Sequence, residues 1–140
     1  MPEYLCTTLD NGLRVISVSM PHHHSAEVMI YIGVGSRYET AHKAGVSHFL
    51  EHMLFRKADR GPEGTFAGRA SAIDASWNGV TSDEAVRYYV LAPSKHLVKS
   101  IDLVSDLVRQ AIFTDDGLDI ERRVVRGELE RQPGLHRNDV

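Results

Sequence analysis

The sequence predicts an α+β fold, a mostly antiparallel sheet with helices packed on one face. Three observations carry this reading. Two β-rich runs flank turn signals, at about 7–20 and 77–91, and read as hairpins. Segments near 44–56, 94–108 and 116–132 carry apolar residues at helical spacing. Their order of hairpin, strand, helix, hairpin and helices places helices against strands that run antiparallel. The 140 residues, taken as one domain over 1–140, suffice for a core and fall short of a complete substrate cleft.

Thr7 to Met20 is the first hairpin. Asp10-Asn11-Gly12 supplies the turn, followed by Val15, Ile16 and Val18 in a β-rich run. His22, His23 and His24 follow Pro21 and read as a solvated turn, because consecutive histidines do not converge as helical neighbours do. Glu27 to Val34 alternates and then turns apolar, predicting a buried strand that ends at Gly33 and Gly35. Ala44 to about Arg56 predicts a helix that is apolar nearly all round and therefore buried. After a breaker-rich stretch from Asp59 to Gly64, Thr65 to Ile73 predicts a shorter helix with Phe66, Ala67, Ala70 and Ile73. Trp77–Thr81 and Val86–Leu91 form the second hairpin around Ser82-Asp83-Glu84. Ser94 is the predicted cap of a helix whose Leu97, Ile101, Val104, Leu107 and Val108 face a core. The last helix runs from about Asp116 to Gln132 and stops at Pro133-Gly134. Its acidic residues sit near the start and its arginines further on, the polarity a helix dipole prefers.

Composition excludes several classes of function. Hydrophobic residues at 42% and charged residues at 25% are ordinary for a globular chain. A net charge of −3 gives no broad basic footprint for nucleic acid. No apolar run approaches the roughly 20 residues of a membrane span, so no membrane role is expected. The first residues lack the regions of a secretory signal, which makes the cytoplasm the default expectation. Cys6 is alone, so no internal disulfide forms and thiol ligation of a metal is disfavoured.

The chemistry-bearing feature is His48-Phe49-Leu50-Glu51-His52, the inverted zinc motif H-x-x-E-H. At about 100° per residue, His48 and His52 lie one turn apart on nearly one line and can meet one ion. Glu51 is offset by roughly 60° to 100° from each, which lets it reach a water beside the metal without becoming a ligand. Chance alone writes this pentapeptide into roughly 3% of chains of such size and composition, so context must support it. Here Phe49, Leu50, Met53, Leu54 and Phe55 surround the polar residues. Burying two imidazoles and a carboxylate is costly unless each finds a partner, and a dication supplies one. A satisfied cluster of core histidines is the bland alternative. Glu128 is a candidate third ligand, and Glu121, seven residues earlier, shares its helix face. On spacing alone that pair also reads as a solvated acidic face.

Nearly the whole chain resembles the pitrilysin/insulinase family of inverted-motif zinc peptidases, which includes processing-peptidase-like domains. Leu9 to Val15 and Val34 to Glu39 look like the family's first strands, and Gly45 to Met53 matches its zinc helix. Asn78-Gly79-Val80-Thr81, followed by Tyr88-Tyr89, resembles the strand that pairs with substrate backbone. Glu121 to Glu128 resembles the helix bearing the third ligand. The resemblance implies a zinc-dependent endopeptidase with one Zn2+ per chain held by His48, His52 and Glu128. It implies Glu51 as general base, Glu121 as accessory carboxylate, and Asn78, Gly79, Val80 and Thr81 as the holders of an extended peptide substrate. Family members usually carry Ala where this chain has Gly79, and a glycine pair where it has Asp74 to Trp77, which implies an edge strand that sits differently and a changed substrate preference. A family domain also continues past the third ligand, and a second, related domain closes the chamber. The chain is therefore expected to be a half-domain, the N-terminal portion of a family domain, completed by a partner chain or a homo-oligomer. Two rivals remain: a non-catalytic scaffold subunit of a peptidase-like assembly, and a small-molecule enzyme of the kind that cleaves S-ribosylhomocysteine.

Overall fold

The computed structural model describes residues 4–58, 64–109, 113 and 115–131. The expected stop at Pro133-Gly134 and most of the breaker-rich stretch lie outside those residues. The chain forms β1 (Tyr4–Thr8), β2 (Arg14–Val18), β3 (Ser25–Ile32), α1 (Val46–Ala58), α2 (Phe66–Ser71), β4 (Ser76–Thr81), β5 (Val86–Pro93), α3 (Leu97–Arg109) and α4 (Asp115–Arg131). All strand pairs are antiparallel, and the fold is α+β.

The strands divide into two sheets. Among the described residues β1 and β2 pair only with each other, through the Asp10–Gly12 turn, and all their residues are exposed, Tyr4, Leu5 and Ile16 among them. β3, β5 and β4 form a second sheet in that order, with β5 central. Strand periodicity decides its faces. Val86, Tyr88, Val90 and Ala92 of β5 are buried beneath the helices, while Arg87 and Leu91 point to the exposed side. Val28, Ile30 and Ile32 of β3 pack against the same core, joined by Leu54, Phe66, Ala70, Ile73, Leu103, Val104 and Leu107 from the helices. Helices thus cover one face of this sheet, as the sequence predicts.

Four expectations shift on contact with the structure. The motif helix starts at Val46 and not Ala44, because Gly45 holds a positive φ of 86° that ends any helical run there. It is half-buried instead of buried all round: Met53 and Leu54 sit in the core, whereas Leu50 is 40% exposed. Ser94 is not a helix cap. Residues 94–96 make a 3₁₀ turn with no side-chain cap bond, and the Ser94 N–H donates to His24 O at 2.8 Å. The buried stripe of α3 is Ser100, Leu103, Val104 and Leu107, with Leu97 and Ile101 outside. Ser100 tolerates burial because its hydroxyl donates to the His96 carbonyl at 3.1 Å.

Candidate metal centre

The site forms where α4 packs along α1. The N-terminus of α1 is held by a residue outside it: the Glu39 carboxylate accepts from Gly45 N–H at 2.6 Å and Ser47 N–H at 2.7 Å. This satisfies donors that a helix start leaves without partners and places a negative charge at the positive end of the dipole. Two turns of that helix then present His48 and His52 on one line, their ring centroids 4.7 Å apart. On α4, the seven-residue spacing brings Glu121 and Glu128 to the same side, with the buried Val125 between them.

The three proposed ligands converge. His48 Nε2 stands 3.2 Å from His52 Nε2, and Glu128 Oε2 lies 3.7 Å from the first and 3.4 Å from the second. Atoms bound about 2.05 Å from a tetrahedral zinc stand roughly 3.3 Å apart, so this triangle has the edges of one face of a zinc site. Two imidazole nitrogens and a carboxylate oxygen are also the donor set zinc takes in hydrolytic sites, with the fourth position left to solvent or substrate. Glu128 is 43% exposed, so the cluster opens toward water on that side.

Glu121 meets the cluster from behind. Its Oε1 is 2.9 Å from His52 Nδ1, and its side chain is nearly buried. A carboxylate only accepts, so Nδ1 carries the imidazole proton and the Nε2 lone pair faces the cluster. Glu51 meets the sheet. Its Oε2 accepts a short hydrogen bond from Thr81 Oγ1 on β4, and its Oε1 lies against the backbone of Gly79. A Cβ added to Gly79 would stand 2.8 Å from Glu51 Oε1 and 2.8 Å from Phe55 Cε2. The helix therefore approaches the strand more closely than a side chain there permits. The buried glycine serves this contact between α1 and β4. Tyr88, paired with Gly79 in register, is buried behind the carboxylate. Burial first, and the Glu51 charge second, hold its phenol far above its ordinary pKa.

Asn78, Gly79, Val80 and Thr81 all lie on β4, at the end of the three-stranded sheet, with no further strand beside it among the described residues. Asn78 Oδ1 accepts from the Gly79 N–H at 2.9 Å. Sequence reading missed Glu39, which lies beyond the reach of local capping patterns, and the Glu51–Thr81 bond, which joins residues 30 apart. Outside this site, Cys6 is exposed on β1, in the other sheet.

The family model for insulinase, peptidase family M16, matches residues 14–139. This chain belongs to the insulinase family. It is 38% identical over 123 residues to an uncharacterized zinc protease of Mycobacterium tuberculosis, a match covering 88% of this chain and 28% of the relative. Cytochrome b-c1 complex subunit 1 of Rattus norvegicus is 34% identical over 140 residues, covering the whole of this chain and 29% of the rat protein. Among solved structures, a protease from Helicobacter pylori superimposes with a TM-score of 0.87 at 30% identity, over 94% of this chain and 32% of that one. The chain spans under a third of the length of each of these proteins, so it has the extent of a half-domain of the peptidase fold.

Proposed function

We propose that the chain carries the metal site of a zinc-dependent endopeptidase and works with a complementary domain or partner chain. The carrying observation is the triangle of His48 Nε2, His52 Nε2 and Glu128 Oε2, with edges of 3.2 to 3.7 Å, built beside the terminal strand β4. One zinc ion per chain, held by these three, supplies a Lewis acid and lowers the pKa of water toward neutrality. Glu51 is the general base: it takes the proton of the attacking water and returns it to the leaving amine. Glu121 holds His52 in the tautomer that points Nε2 inward. Asn78 to Thr81 hold an extended peptide by strand addition, in which backbone bonds bring affinity with little sequence preference.

The need for a partner is supported by the share of the relatives that this chain spans and by the exposed β1–β2 hairpin. Two strands alone are marginal in water, so more polypeptide is expected to cover them. The rat relative, by its name, is a subunit of a larger complex. That relative also favours the second reading, a scaffold subunit without catalysis. The full set of three ligands and Glu51 in this chain weighs toward the enzyme. A cytoplasmic setting is the proposal for the compartment; no helix among the described residues is long and apolar enough to cross a membrane.

The test is Glu51→Gln, assayed for peptide cleavage in the active assembly alongside metal analysis. The enzyme reading predicts retained zinc and a loss of several orders of magnitude in rate, because the amide cannot take a proton. Equal rates in wild type and variant would remove Glu51 from the base role. Absence of cleavage by wild type in every assembly would favour the scaffold.

A further inference from the structure

We infer that Thr81 is a positioning residue for Glu51, its hydroxyl fixing the carboxylate in a slot that exists because residue 79 has no side chain. This rests on the reading of Glu51 as general base. Thr81 Oγ1 donates to Glu51 Oε2, a bond between the metal helix and the strand proposed to hold the peptide. The slot is rigid on its other sides. Phe55, one turn after Glu51, is wedged against Trp77, Phe66 and Tyr88, with ring centroids 4.8, 5.6 and 5.7 Å away. The helix face at residues 51 and 55 is therefore fixed on β4, and the carboxylate lies where a Cβ at position 79 would stand.

A glutamate has three rotatable bonds, so several staggered positions are open to its carboxylate. A charge-assisted hydrogen bond to one oxygen selects among them. Because Thr81 belongs to β4, a peptide added to that strand is registered against the same element that orients the base. Substrate and base then share one frame, which is where orientation contributes to rate. Thr81 does not touch the reacting atoms; it acts through Glu51.

The experiment compares wild type, Thr81→Val and Thr81→Ser in the zinc-loaded full chain with whatever partner its activity requires, using a quenched-fluorescent peptide. A hydrogen bond to a charged group predicts a fall in kcat of about ten-fold to a hundred-fold for Thr81→Val, with KM and zinc content little changed. Thr81→Ser keeps the hydroxyl and should recover most of the rate. A second readout needs no catalysis: the carboxyl 13C resonance of Glu51 in metal-free protein should move in Thr81→Val and return in Thr81→Ser. Wild-type kcat in Thr81→Val, a rise confined to KM, a Thr81→Ser variant as slow as Thr81→Val, or an unmoved carboxyl resonance would each overturn the inference. Failure of the base reading looks different, because Glu51→Gln would then keep full rate while the carboxyl resonance still reported the bond.

Discussion

Removing Glu121 tests how the second layer of the site supports the first. Its Oε1 lies 2.9 Å from His52 Nδ1, and the residue is only 6% exposed, so water cannot readily replace the bond. A hydrogen bond to a charged group is worth about 1.5–3 kcal/mol, and each 1.4 kcal/mol is about ten-fold in affinity. That places the loss of zinc affinity between about ten-fold and a hundred-fold, the range expected for outer partners of a ligating histidine. The two conservative replacements should divide this range. Glu121→Gln keeps an acceptor and loses the charge, so it belongs near ten-fold. Glu121→Leu leaves the Nδ1–H against an apolar neighbour and frees the ring to turn, so it belongs near a hundred-fold. Competition with a chromophoric zinc chelator at fixed pH measures both. Wild-type affinity in Glu121→Leu would refute the idea that this bond sets the tautomer and direction of His52.

Two further perturbations read the framework around the site. Tyr88 ionises less readily in the folded chain than in the unfolded one, so its contribution to stability is whole below pH of about 10 and declines above it. Stability should fall by about 1.4 kcal/mol per pH unit from this group alone, and denaturant unfolding of Tyr88→Phe should lack that part of the alkaline slope. Equal alkaline slopes would show that the phenol is not held neutral by its surroundings. Glu39→Ala removes the acceptor of two backbone N–H groups at the start of α1 and should cost about 1–2 kcal/mol of stability, read as a lower denaturant midpoint. An unchanged midpoint would mean that water caps the helix as well as Glu39 does.

The sequence pattern revealed some layers of this molecule better than others. Alternation in β5 was readable because β-period and burial agree at Val86, Tyr88 and Val90. His48, Glu51 and His52 were readable because one helical turn fixes their relation before any tertiary contact forms. The remainder depended on packing. In α3, the stripe rotated to admit Ser100, a residue whose burial depends on its bond to His96 and not on hydrophobicity. The start of α1 moved because Gly45 takes a left-handed conformation while a carboxylate from an upstream turn supplies the cap. Gly79 looked like a variation in the peptide strand, yet its meaning lies in the approach of Glu51 and Phe55, which no local pattern encodes. The separation of β1–β2 from the other sheet was equally invisible, since a hairpin signal says nothing about its neighbours.

The most direct measurement is the zinc content of the purified protein, with His48→Ala, His52→Ala and Glu128→Ala prepared alongside. If His48, His52 and Glu128 form the site, the wild type binds about one zinc per chain, as a single tetrahedral centre requires, and its melting temperature rises on zinc addition. Each histidine variant loses the ion, and Glu128→Ala binds it far more weakly. A wild type that takes up no zinc, or variants that hold it as tightly as the wild type does, would contradict the assignment.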